Sequence, residues 1–238
     1  MSLEPILLFA VLYLPSYLSQ GGGVSGGLFN SPLFNLTYWV TAASRVAIVL
    51  YVVVLREWSV AAPDDAPRQE LDLSARATLE RYGIGPLRLR DLAYGAATLA
   101  VVGVCMAPIT LGAGLLDRSG AGALSSTVHW HLAAPWLLPL VLVTSLAAGY
   151  SEELFFRSYL LTRLPQIGVG IGGAVAGSVL LFGLGHLYEG VPGFVGTAII
   201  GLVLSYVFLR RRSLHPIAIA HGLYNFLALV LTLGRPAG

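Results

Sequence analysis

The sequence predicts an all-α fold, a polytopic transmembrane helical bundle of about seven spans, and three observations carry that prediction. Hydrophobic residues make up 56% of the 238 positions, and the mean hydropathy is +0.76. Charged residues supply 11%, against about 25% in an ordinary soluble domain. The apolar residues also fall in runs of about 20, the length needed to cross roughly 30 Å of hydrocarbon. This composition excludes a soluble globular enzyme, a nucleic-acid binder and a disordered chain. The basic residues are 14 arginines with no lysine, set against 12 acids for a net charge of +2. None of the basic stretches is long enough for a nucleic-acid site, so the expected partner is the lipid bilayer. The one cysteine, Cys105, lies in an apolar run, which leaves no disulfide framework and no thiolate cluster. The 28 glycines point to helix packing through small residues.

Taken in order, the first apolar run, 6–18, is short for a span and is interrupted by Pro15. It lacks the basic start and cleavage site of a signal peptide and is read as a weak span. A Gly-rich loop, 19–33, leads to a second span at 34–55. The segment 56–90 is the one sizeable insert: 61–69 reads as a linker, and 71–82 as a short surface helix closed by Gly83. Further spans follow at 92–116, 135–160, 170–188, 193–209 and 214–233. Arg56, Arg68, Arg76, Arg81, Arg88 and Arg90 lie in the insert. Arg163 and the triplet Arg210–Arg212 lie in two later connections. Alternating seven spans puts all of these on one face, which the positive-inside rule assigns to the cytosol together with the N-terminus. The opposite face holds Arg118 and Arg235. No fixed-period repeat is present.

Ionisable groups inside a span cost about 2.5–3.5 kcal/mol each on insertion scales, so those present are candidates for function. Glu152 and Glu153 stand in the fourth span, followed by Arg157. Neighbouring helix positions point about 100° apart. Glu153 pairs favourably with Arg157 at i,i+4, while Glu152 points elsewhere without a local partner and is free to act as a base. His186 ends the fifth span with Phe182 one turn before it, and His221 and Asn225 share a face of the seventh. Polar groups that avoid lipid face the bundle interior, where three spans can bring them together. At 1.5 Å per residue, Glu152 and His221 lie roughly 16 and 10 Å from the cytosolic ends of their spans. His186 reaches a matching depth of roughly 18 Å if its helix starts near Ala174.

Glu-Glu-x-x-x-Arg, Phe-x-x-x-His and His-x-x-x-Asn on three hydrophobic blocks together resemble the CPBP family. These are the CAAX-protease and bacteriocin-processing membrane endopeptidases, including type II CAAX prenyl endopeptidases. The likeness covers about 135–232, with every motif position filled: Glu152, Glu153, Arg157, Phe182, His186, His221 and Asn225. It implies a division into a variable N-terminal transmembrane region, 1–133, and an intramembrane protease domain, 134–233. It further implies that Glu152 activates water with the help of His186, while His221 and Asn225 form the oxyanion site. Glu153, Arg157 and Phe182 support them. The expected partner is a peptide or membrane-protein substrate, and no cofactor is expected.

The same residues allow two other readings. Glu152, His186 and His221 match a two-His, one-carboxylate zinc site with an open position for water, although the helical H-E-x-x-H pairing is absent. Buried Glu, His and Arg also suit a transporter or a non-catalytic bacteriocin-immunity or scaffold protein; the chain lacks the inverted repeat of many transporters. Arg45, near the middle of the second span, is expected to pair with a bundle carboxylate or to receive a substrate carboxylate. His129 and His131 read as surface residues of an external loop, and His215 as a boundary residue without a role. An all-arginine basic complement is consistent with a high-GC bacterial source and so with a bacterial cytoplasmic membrane.

Overall fold

The computed structural model describes residues 3–19, 32–61, 68–118 and 135–233. Most of the 19–33 loop and of the 61–69 linker lie outside those residues, as do His129 and His131. Among the described residues there is no strand. The helices are α1 (Glu4–Leu12), α2 (Leu14–Ser19), α3 (Pro32–Ala61), α4 (Arg68–Arg81), α5 (Leu89–Arg118), α6 (Leu138–Glu153), α7 (Leu160–Gln166), α8 (Ile171–Leu184), α9 (Gly190–Arg211) and α10 (Leu214–Leu233). The protein is an all-α, integral membrane bundle. Among the described residues, four stretches are long and apolar enough to cross a bilayer: Asn35–Leu55, Leu89–Gly112, Leu187–Arg211 and Leu214–Leu231. Over the expected span at 135–160 the chain is helical from Leu138, and a π-helical segment, Leu154–Tyr159, joins α6 to α7. The expected span at 170–188 is the shorter apolar helix α8.

The N-terminal run 6–18 folds as two short helices that meet at Tyr13. The carbonyl exposed at this break is recovered from α3: Arg45 Nε donates to Leu12 O at 3.0 Å, and Arg45 Nη2 donates to Ser16 Oγ at 2.8 Å. The guanidinium also lies 4.4 Å from the centroid of the Tyr13 ring. Among the described residues Arg45 therefore satisfies backbone and hydroxyl groups rather than the bundle carboxylate expected for it, because an unpaired carbonyl in an apolar interior is costly.

Gly83 ends α4 with φ +75°. Its N–H donates to Glu80 O, and the Ile84 N–H donates to Leu79 O, the paired bonds of a Schellman motif. The chain then docks on the corner between α9 and α10. Leu214 N donates to Gly83 O at 2.9 Å, and Ser158 Oγ donates to Tyr82 O at 2.5 Å. His215, to which the sequence assigned no role, donates from Nε2 to Gly85 O at 2.8 Å and accepts from Tyr150 Oη on Nδ1 at 3.1 Å. At the same end, Glu4 accepts from Tyr159 Oη at 2.9 Å and from Arg163 Nη2 at 3.2 Å. The three arginine-bearing connections thus share one end of the bundle.

The crossing of α6 with α10 places the polar residues. A Cβ on Gly149 would stand 2.6 Å from Ala218 O, and one on Gly222 would stand 2.8 Å from Leu146 Cα. Only hydrogen fits at either position, so the two backbones approach directly, one turn before Glu153 and beside His221.

Candidate active site

Glu153 lies at the last turn of α6, where the helix widens into the π segment. Such π-helical insertions are frequent at functional sites. Every side chain from Leu154 to Tyr159 is buried, so this segment is enclosed by protein on all sides. The Arg157 Nη1 donates to Glu153 Oε1 at 2.8 Å, with both side chains fully buried. The guanidinium stacks 4.1 Å over the Phe182 ring, and Gly201 leaves room for it, since a Cβ there would stand 2.8 Å from Nη2.

His221 of α10 sits between the two glutamates. Its Nδ1 lies 2.8 Å from Glu153 Oε1, and its Nε2 lies 3.8 Å from Glu152 Oε2. Because an ionised carboxylate only accepts, the Nδ1 proton points to Glu153. Glu152 thus has a neighbour that helical geometry alone does not reveal. Its carboxylate diverges from that of Glu153, yet an imidazole presents nitrogens on two edges and meets both. The Glu152 side chain retains 18% exposure, while that of Glu153 has none.

Phe182 joins the remaining histidine to this pair. Its ring packs edge-on against His221 at 5.6 Å and against His186 at 5.1 Å. His186 follows α8, which begins at Ile171, three residues before the start the depth argument expects; Gly168, at φ +91°, turns the chain into it. The His186 Nδ1 donates to Phe182 O at 3.0 Å, which leaves Nε2 as the acceptor. Asn225 lies one turn after His221 on α10 and is half-buried. Its side chain forms no hydrogen bond among the described residues.

Four tyrosines not anticipated from the sequence couple electrostatically to Glu152. The phenols of Tyr13, Tyr17, Tyr38 and Tyr188 are all within electrostatic range of its carboxylate. Tyr13 Oη donates to Ser151 O at 3.0 Å, and Tyr17 Oη donates to Leu181 O at 2.8 Å. Tyr188 stacks on His186 with centroids 6.1 Å apart. A signal existed in the four-residue steps Phe9, Tyr13 and Tyr17, an aromatic stripe that by itself reads as core.

The zinc alternative needs Glu152, His186 and His221 to converge. Among the described residues, no three His, Cys, Asp or Glu side chains form a group able to hold a metal ion.

An integral membrane bundle that buries a Glu–Arg pair and orients an imidazole between two carboxylates has the makings of a hydrolase. Residues 134–227 match the family model described as Type II CAAX prenyl endopeptidase Rce1-like. The match covers about two-fifths of the chain; the family is one of proteases, and the likeness supports a hydrolase in general. No curated protein and no solved structure matches the chain significantly.

Proposed function

We propose that the protein is an intramembrane endopeptidase that hydrolyses peptide bonds of membrane-associated or lipidated proteins or peptides without a metal. The observation that carries this reading is His221 held between Glu152 and Glu153 at 3.8 and 2.8 Å. In the proposed reaction, Glu152 removes a proton from water, which attacks the scissile carbonyl. His186, with its Nδ1 proton committed to Phe182 O, accepts the second water hydrogen on Nε2 and so orients the nucleophile. Negative charge then develops on the carbonyl oxygen, where the Asn225 amide and His221 donate. With its Nδ1 proton committed to Glu153, His221 donates from Nε2 only as imidazolium, whereas Asn225 donates in any state. Glu152 returns its proton to the leaving amine as the C–N bond breaks, and one water is consumed per bond cleaved. Glu153, Arg157 and Phe182 hold His221 and His186 in place.

The test compares membrane peptides and new N-termini in cells lacking the gene, complemented with wild type or Glu152→Gln at equal expression. Termini that appear only with wild type support the reading and name a substrate. Equal cleavage by both proteins removes Glu152 from the mechanism. Identical peptide sets in all cells, with equal rescue of any phenotype, favour a non-catalytic immunity or scaffold role. Stoichiometric zinc in active protein, with chelator inhibition reversed by zinc, would replace the metal-free route.

A further inference from the structure

Two cavities meet at the arginine-bearing end, away from the candidate active site. The first, of about 380 Å³, contains Arg88, Arg90, Arg210, Arg211 and Arg212 in its lining. The second, of about 450 Å³, runs between α5 and α9 beside Ala97, Val101 and Val207. They share Tyr94, Arg210 and Arg211, so a basic chamber opens directly into an apolar groove.

The arginines are not neutralised by their surroundings. Among the described residues none of the five makes an ion pair, and all five are exposed. The two acids at the chamber are already engaged. Asp91 accepts the Arg88 backbone N–H at 2.8 Å and the Ser213 hydroxyl at 3.4 Å, and Glu80 pairs with Arg76 at 3.2 Å. Ring faces hold two guanidiniums where the cavities join: Arg211 lies 3.8 Å from the Tyr94 centroid, and Arg210 lies 5.5 Å from that of Tyr206. Beyond them, the small side chain of Ala97 lines the groove. The Thr98 hydroxyl there donates to the Tyr94 carbonyl at 2.7 Å, and the Tyr206 phenol accepts from Arg210 Nε at 3.4 Å. Apolar surface therefore predominates along the groove, as a hydrocarbon chain requires.

We infer that this end of the bundle binds one anionic phospholipid, its phosphate in the arginine chamber and an acyl chain in the α5–α9 groove. Charge complementarity selects the anionic headgroup, as it does in basic pockets between membrane helices. Continuity with the groove selects a lipid over a free phosphate, and the α5 and α9 surfaces that frame it already face hydrocarbon: Val101 and Tyr206 are 49% and 62% exposed. The site is built on the corner where Gly83 and Asp91 dock, so occupancy should also brace that docking.

Native mass spectrometry of the delipidated full chain tests this with three probes: dioleoyl phosphatidylglycerol, dioleoyl phosphatidylcholine and glycerol phosphate. The expected result is one phosphatidylglycerol per chain, retained under conditions that strip phosphatidylcholine, with no adduct from glycerol phosphate. The triple variant Arg90→Gln, Arg210→Gln, Arg211→Gln should weaken that retention by tenfold or more, given about 1 kcal/mol per basic group near an anionic surface. Ala97→Trp, which fills the groove and leaves every arginine in place, should weaken it as well; circular dichroism confirms that each variant is folded. Equal retention of both lipids would overturn the headgroup site. Glycerol phosphate binding as tightly as the lipid, or undiminished retention in folded Ala97→Trp, would overturn the groove.

Discussion

At Glu153 one carboxylate oxygen serves two partners, Arg157 and His221, each at 2.8 Å. Its other oxygen, together with Arg157 Nε and Nη2, is buried without a hydrogen bond among the described residues. A buried ion pair contributes little net stability, but removing one partner strands a charge in apolar surroundings. Arg157→Leu should therefore destabilise the protein by about 3–5 kcal/mol, read as a loss of unfolding midpoint in detergent. The double variant Glu153→Leu, Arg157→Leu should recover most of that stability yet fail to cleave, because His221 loses its anchor. A fully active double variant would show that His221 needs no such anchor. The Glu153–Arg157 contact was legible in the sequence, since i,i+4 neighbours meet on any helix. The meeting of Glu152 with His221 was not, because it depends on how α10 crosses α6.

That crossing is set by two glycines, and the effect of filling them belongs to the element rather than the residue. Gly149 and Gly222 face backbone atoms, which cannot rotate away as a side chain could. Gly149→Ala or Gly222→Ala should push the helices apart at a cost of about 1–3 kcal/mol, the range for overpacking. The larger consequence falls on function, because the His221–Glu153 bond spans this interface. Cleavage should drop more steeply than unfolding midpoint, and an active Gly222→Ala variant would refute the coupling. The positions of α3, α5, α9 and α10 were legible from apolar length alone, because lipid demands it. The π segment was not: Leu154, Phe155 and Phe156 are all buried, so no polar face marks where the helix widens. The run 6–18 was too short and too broken to read as a full span. The tertiary contacts of Tyr13 and Tyr17 give those short helices their place beside Glu152.

The whole molecule has a polarity that the internal bonds define independently of any membrane. Glu4 binds Arg163, Tyr82 meets Ser158, and Gly83 meets Leu214; Leu187–Glu189 lies at the far end of α8. A bilayer across this bundle must leave Leu87, Gln166 and Arg210 on one side and Leu187 on the other. The positive-inside rule predicts that the first side is cytosolic. Single cysteines at these four exposed positions, each in a Cys105→Ala background, test both statements with a membrane-impermeant maleimide on intact cells. Leu187→Cys should label directly, while Leu87→Cys, Gln166→Cys and Arg210→Cys should label only after lysis. Labelling of all four from outside would contradict the crossing itself. Labelling of the three without the fourth would invert the orientation, and the arginine chamber would then face the outer leaflet. Two consequences meet in this one experiment, because the side that carries the arginines also decides which leaflet can supply the anionic lipid.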